Sequence, residues 1–239
     1  MNLIAHKSNL YNIVDFLNMV FDNDYINGAM FELTMTSDNK VVVFSPVFSN
    51  EATLDTIQSS TYAQIKSEDM ITLENVVSYF SNTNKRLLLN ILPLSTMTLN
   101  DETFEKMAQR NVDYIARIQK QLARCNNKNI SLISADNKVL YHLKKNLSCY
   151  KLGLFLSRTN LTYEDVDMYI FPSDMYSRSL IRQQILLNKE AMIFASSSTD
   201  LDLINKAILS KEVTVEEIKN TPNFGFITNY PELLHTILK

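Results

Sequence analysis

The sequence predicts a single (β/α)8 TIM-type barrel, a ring of eight parallel strands with helices packed outside it, spanning residues 1–239 as one domain. Three observations carry that expectation. Short apolar runs alternate eight times with longer amphipathic stretches, the pattern of repeated βα units around a parallel sheet. The length of 239 residues is close to the roughly 250 of a typical barrel of this kind. Three glycines and five prolines are too few for a sandwich or propeller, in which a tight turn recurs about every ten residues.

The strand candidates are Leu3–Ala5, Met30–Met35, Leu87–Ile91, Ile130–Ser134, Leu152–Ser157, Met168–Phe171, Met192–Ala195 and Phe224–Thr228. Nearly all are continuous apolar runs, as strands covered on both faces should be. Between them, Leu10 to Phe21 places Leu10, Ile13, Val14, Leu17, Val20 and Phe21 on one helical face, which should pack on the barrel. Thr103 to Cys125 carries Phe104, Met107, Ala108, Val112, Ile115, Ile118 and Leu122, leaving Lys106, Arg110 and Lys120 for solvent. Ser179–Asn188, Leu201–Leu209 and Pro231–Leu238 complete the outer helices, with Pro231 in a first turn where its missing amide proton is not needed. One interval breaks the alternation. Lys40 to Phe44 reads as an extra short strand after the turn Ser37-Asp38-Asn39, and residues from about 45 to 71 form an insertion beside or over the barrel mouth. That insertion ends at a helix start, Thr72-Leu73-Glu74.

Composition excludes several functions. Lysine and arginine number 23 and aspartate and glutamate 26, a net charge of −3, so nothing attracts the chain generally to nucleic acid or an anionic membrane. No apolar run approaches the roughly 18 residues of a membrane span, and Met1 to Ala5 reads as a strand and not as a signal peptide. Cys125 and Cys149 have the spacing of neither a disulfide framework nor a zinc site; they are expected to be free thiols in small apolar niches. A cytoplasmic protein is the resulting expectation.

Barrel enzymes place their chemistry at the C-terminal ends of the strands. Here those positions read Ile4-Ala5-His6-Lys7-Ser8, then Glu32-Leu33-Thr34, then Val41-Val42-Val43-Phe44-Ser45-Pro46. Ile71-Thr72-Leu73-Glu74-Asn75-Val76, Leu87 to Leu92, Ser134-Ala135 and Phe224-Gly225-Phe226-Ile227-Thr228-Asn229-Tyr230-Pro231 follow. This order resembles the glycerophosphodiester phosphodiesterase family over nearly the whole chain. The family pattern is His-Arg-Gly on the first strand, Glu-x-Asp on the second, Val-Val-x-His-Asp, Pro-Thr-Leu-Glu-Glu, Glu-x-Lys, Ser-Phe and a closing Gly-Ile-x-Thr-Asp-x-Pro. The resemblance implies hydrolysis of a glycerophosphodiester to glycerol 3-phosphate and an alcohol. It also implies a divalent cation, calcium or magnesium, held by the Glu-x-Asp pair and the third-strand Glu, with two His residues as acid and base.

The chain departs from that pattern where the chemistry lies. His6 is kept, but Lys7 replaces the arginine and supplies a point charge in place of a fork for phosphate. Thr34 stands at the Asp position, Ser45 at the second His, Pro46 after it, Asn90 at the third-strand Glu and Leu92 at the Lys. An alternative register puts Met30 at the Glu and Glu32 at the Asp position; both keep Glu32 facing the mouth, because side chains alternate along a strand. One carboxylate of three is too few to offset a hard divalent cation, which takes several oxygen ligands.

The candidate roles are therefore His6 for proton transfer, Lys7 and Arg158 for substrate, and Glu32 with Asn90 for a metal. Against each stands a plainer role. His6 without its partners is a hydrogen-bonded mouth residue, and Glu32 in an apolar strand needs a partner, either Lys7 or a cation. Asp136, Asp174 and the Ser196-Ser197-Ser198 run are natural helix caps, although the serines, with Arg158 and Lys7, could also receive an anion. His142 and His235 sit in helical stretches without an i+4 histidine and are expected at the surface or between helices. The expected function is a divergent barrel of this family that has lost metal-dependent hydrolysis and binds a small phosphate-containing ligand or regulates a partner. No cofactor is expected; calcium or magnesium would be required only if the chain is an active or altered phosphodiesterase.

Overall fold

The structure, a computed structural model, describes residues 1–8, 10–44, 51–65, 70–94, 101–156, 166–175, 179 and 188–239, without the side chains of 44, 51–53 and 101–107. In chain order the strands are β1 (Asn2–His6), β2 (Gly28–Met35), β3 (Val41–Phe44), β4 (Ile71–Thr72), β5 (Arg86–Ile91) and β6 (Ile130–Ser134), followed by β7 (Lys151–Phe155), β8 (Met168–Pro172), β9 (Glu190–Ala195) and β10 (Phe224–Thr228). Eight of them close into a parallel ring in the order β1, β2, β5, β6, β7, β8, β9, β10, and β1 pairs with both β2 and β10. The eight strands of the ring are those expected from the apolar runs, with ends shifted by at most two residues, which is ordinary fraying of an element boundary.

The extra strand is also present. β1 covers β2 only as far as His6 opposite Met30. Beyond that point β3 takes the vacated edge of β2, antiparallel, with Glu32 opposite Phe44 and Met35 opposite Val41, and β4 adds to β3. β2 thus rises above the rim of the ring, and Glu32 sits where its neighbour changes. At its other end β2 lies tightly on β5: a Cβ on Gly28 would collide with the backbone carbonyl of Arg86.

The helices are α1 (Ile13–Asp22), α2 (Glu51–Ser59), α3 (Tyr62–Ile65), α4 (Leu73–Phe80), α5 (Asp101–Leu122), α6 (Asn137–Asn146), α7 (Ser198–Leu209), α8 (Val215–Asn220) and α9 (Pro231–Ile237). The helix expected over Ser179–Asn188 lies almost wholly outside the described residues. In α1 the buried face is Ile13, Phe16, Leu17, Met19 and Val20, whereas Leu10 and Val14 are exposed. The expected face is rotated because the Asn12 side chain accepts from Asp15 N and starts the helix after Leu10, and because Phe16 packs edge-on against Phe31 of β2. In α5 Ile115, Ile118 and Leu122 are buried as expected, but Val112 is exposed and Arg110 points inward. Its guanidinium donates to the carbonyls of Thr36 (3.0 Å) and Gln58 (2.7 Å), tying α2 of the insertion to the end of β2. Cys125 is buried as expected; Cys149 is exposed, in the turn between α6 and β7, where no apolar niche receives it. Among the described residues no helix is long and apolar enough to cross a membrane.

The barrel interior is layered by the two-residue alternation of its strands. Ile4, Met30, Leu88, Ile133, Met168, Ile170, Met192 and Ile227 fill the middle as one buried cluster. Below it, at the N-terminal end of the strands, Arg86 donates to both carboxylate oxygens of Glu190 and to Ser131 Oγ at 3.0 Å. Above it, at the C-terminal end, the next inward positions of β1, β2, β5, β9 and β10 carry residues of the candidate site.

Candidate functional site

His6, Glu32, Asn90, Phe194 and Asn229 each lie two residues beyond a member of the apolar plug, respectively Ile4, Met30, Leu88, Met192 and Ile227. Strand alternation therefore delivers all five to the upper end of the barrel. They line a cavity of about 460 Å³, together with Ser8, Leu92, Ala135, Phe155 and Ser196. A groove of similar size, about 490 Å³, runs outside the ring between Ser173 and α7 and contains none of these residues.

Asn229 organises the histidine. Its Nδ2 donates to the carbonyl of Ser196 at 2.6 Å, which fixes the orientation of the amide and turns Oδ1 toward His6 Nδ1 at 2.7 Å. An amide oxygen only accepts, so Nδ1 carries the proton. In the neutral ring Nε2 is then an acceptor. Nε2 lies 3.4 Å from Glu32 Oε1 without hydrogen-bond geometry and has no hydrogen-bond partner among the described residues, although His6 is only 3% exposed. Phe194 meets the imidazole edge-on at 5.1 Å and holds the plane of the ring.

Glu32 is 6% exposed and has its partner in Asn90, whose Nδ2 donates to Oε2 at 2.6 Å. The opposite register, Glu32 beside Asn90 across β2 and β5, places the two side by side. With Nδ2 so used, Asn90 Oδ1 is buried and unpartnered. The charge of Glu32 reaches into the outer layer: burial, and secondarily that charge, push the phenol of Tyr114 on α5 well above its ordinary range.

The remaining candidates fall elsewhere. Lys7 is fully buried and does not line the cavity; its ammonium donates to the carbonyls of Ser8 (2.6 Å) and Tyr11 (2.8 Å). Arg158, Ser45 and Pro46 lie outside the described residues. Thr34 is buried and accepts from Gln58 Nε2 at 2.9 Å, which binds the insertion to β2.

No protein-family model matches the chain, and no curated protein matches it. Solved structures do. A phosphodiesterase from Oleispira antarctica, determined with the product sn-glycerol-3-phosphate, superposes with a TM-score of 0.73 at 12% identity over 100% of this chain and 96% of its own. A glycerophosphodiester phosphodiesterase from Parabacteroides distasonis gives 0.68 at 17% identity over 99% and 96%. The fold of this chain is thus the fold of those phosphodiesterases. A chitinase from Pseudoalteromonas aurantia also matches, with a TM-score of 0.55 at 8% identity over 99% and 98%. The barrel is common to different chemistries, and the site must decide between them.

The caps behave as helix starts. Asp136 accepts from Lys138 N and Val139 N at the head of α6, and Ser197 and Asp200 cap α7 reciprocally. Asp200 also accepts from the Ser173 hydroxyl. Burial would raise its carboxyl pKa, but the Ser173 and Ser197 hydrogen bonds, with backbone amides of Ser197 and Ser196, outweigh burial and hold it below the usual range. His235 stacks on Tyr25 at 4.0 Å between α9 and the end of α1, the interhelical role expected for it.

The sequence resemblance implies a hard divalent cation, and the donors among the described residues do not suit it. Glu32 is the sole carboxylate lining the cavity among the described residues, and one of its oxygens is already held by an amide. No group of three or more His, Cys, Asp or Glu is placed to hold a metal among the described residues. Calcium takes six to eight oxygen ligands, and magnesium a near-ideal octahedron. Sequence reasoning passed over two residues of the cavity wall, Phe155 and Phe194, because an aromatic in an apolar strand carries no signal of its own. Asn229 stood in the closing motif, and its role required the distance to His6.

Proposed function

We propose that this chain is a divergent relative of the glycerophosphodiester phosphodiesterases that has lost metal-dependent phosphodiester hydrolysis and uses the mouth of its barrel to bind a small ligand. The observation that carries the reading is the pairing of Glu32 with Asn90: where the resemblance implies a second and third carboxylate there are Thr34 and the amide of Asn90, and the amide spends its donor on the carboxylate that remains. Among the described residues the mouth has one carboxylate, too little charge for a divalent cation, and one histidine, and it keeps a shaped, partly apolar cavity. The protein would act as a binding or regulatory element in the reducing interior of the cell, where the free thiols Cys125 and Cys149 persist.

A second reading is an altered phosphodiesterase, favoured by the open Nε2 of His6, which is oriented as a base would be. Hydrolysis of glycerophosphocholine and of a chromogenic phosphodiester, with calcium, magnesium or chelator, separates the two. The expected result is no turnover above that of His6→Ala and Glu32→Ala. Metal-dependent turnover lost in both variants would establish the enzyme reading.

A further inference from the structure

We propose that the mouth of the barrel binds a protonated amine, the ammonium group of a small organic cation seated among Glu32, His6 and Asn90 with its carbon body against Phe155 and Phe194. The inference rests on the reading of the mouth as a binding pocket and specifies what that pocket takes.

Three acceptor atoms define the recognition. Asn229 keeps a proton of His6 on Nδ1, so in the neutral ring the Nε2 lone pair faces Glu32 Oε1 at 3.4 Å. Two acceptors this close in a buried site are satisfied by one donor group that bridges both from the cavity side. The third acceptor is Asn90 Oδ1, whose own amide donor is occupied by Glu32. An ammonium brings three N–H donors to three acceptors and one positive charge to the one carboxylate. The bound pair is then neutral, the condition under which a buried charge is tolerated.

Other ligand classes match this set less well. Glu32 repels an anion at this position, and the ammonium of Lys7, a residue that does not line the cavity, is directed to the Ser8 and Tyr11 carbonyls. A divalent cation would bring two charges to one carboxylate and ask for several more oxygens. The aromatic wall suits an organic cation. Phe155 and Phe194 pack edge-on at 5.2 Å, offering apolar surface and a ring face to the CH2 groups beside a charged nitrogen.

Calorimetric titration of the full chain with n-butylammonium chloride tests the proposal, with calcium chloride and inorganic phosphate as the other arms. One-to-one binding of n-butylammonium is expected, weakened at least tenfold in Glu32→Gln and several-fold in Phe194→Leu. Equal affinity in wild type and Glu32→Gln, or tighter binding of calcium or phosphate that Glu32→Gln abolishes, would overturn it. Should Glu32→Gln fail to fold, 15N spectra of wild-type His6 decide. The expected outcome is an unprotonated Nε2 in the free protein that shifts on addition of n-butylammonium; an imidazolium in the free protein would overturn the proposal, because Glu32 would already be neutralised. Metal-dependent hydrolysis in the assay above would instead overturn the reading on which this one rests, whereas absence of both hydrolysis and amine binding would sink this inference alone.

Discussion

His6 Nδ1 donates to Asn229 Oδ1 at 2.7 Å, joining the last residue of the first strand to the residue just beyond the last strand, 223 positions away. The bond lies across the seam where β1 and β10 close the ring, in register from Asn2 opposite Gly225 to Ala5 opposite Thr228. Asn229 bridges onward to Ser196 at the end of β9, so one amide links the ends of three neighbouring strands.

Asn229→Leu removes both bonds while keeping the approximate volume. A half-buried pair of this kind is worth about 1–2 kcal/mol in total. We expect a lower urea midpoint at unchanged slope, which is the signature of lost stability without loss of compactness. The same variant should release the His6 tautomer, read as mixed Nδ1 and Nε2 protonation in 15N spectra. A fixed Nδ1–H tautomer in Asn229→Leu would show that something other than Asn229 sets it.

At the opposite end of the barrel, half-buried Arg86 and buried Glu190 form a bidentate pair with Ser131 as an additional acceptor. Removing one member strands the other charge, so Glu190→Ala should cost about 3 kcal/mol. The double variant Arg86→Met, Glu190→Met leaves no stranded charge and should recover most of that loss. Chemical denaturation of the two variants checks the difference; additive losses would mean that the pair does not couple.

The ring was legible in the sequence because strands covered on both faces must be apolar throughout, and such runs stand out between amphipathic helices. Ile130–Ser134 and Phe224–Thr228 are found where the apolar runs place them. Helix faces were less legible. Val14 lies three and four residues from other apolar positions, yet it is exposed, since the phase of α1 is set by where Asn12 caps it and where Phe16 meets Phe31. A charge on a helix usually faces solvent, and only the tertiary arrangement supplies the carbonyls of Thr36 and Gln58 that hold Arg110 inward. At the site, His6, Glu32 and Asn90 could be found from strand ends alone. Which of them touch could not, because β2 and β5 are adjacent in the ring but far apart in the chain. Glu32 was expected to need Lys7 or a cation as partner, and it meets Asn90 and His6.

Asp200 makes stability depend on pH. Although burial works against the charged form, the hydroxyls of Ser173 and Ser197 and the local backbone amides hold its folded carboxyl pKa below the ordinary range. A carboxyl whose pKa is depressed on folding contributes stability above its unfolded pKa and loses it as pH falls through the folded value. The wild type should therefore lose stability as pH drops from about 5 toward 3, and Asp200→Asn should lose less over that window. Urea midpoints measured across the series check this; parallel curves for the two proteins would exclude Asp200 as a contributor.

Lys7 follows the histidine where the family resemblance places a phosphate-directed arginine, and its structural setting leads to a different expectation. The residue is fully buried, which for a lysine requires that the ammonium find acceptors inside the protein. It finds the Ser8 and Tyr11 carbonyls, and with them it ties the end of β1 to the loop that leads into α1. Lys7→Met keeps the apolar stem and removes the charge, leaving those two carbonyls without their donor. The lost charge-assisted bonds outweigh the relief of no longer burying an ammonium, and we expect a net cost of about 2 kcal/mol in denaturant unfolding. Titration with inorganic phosphate should give the same weak response in Lys7→Met as in the wild type, because the ammonium is not among the groups lining the cavity. Loss of phosphate binding in Lys7→Met with unchanged stability would mean that Lys7 turns outward in solution and serves the anion after all.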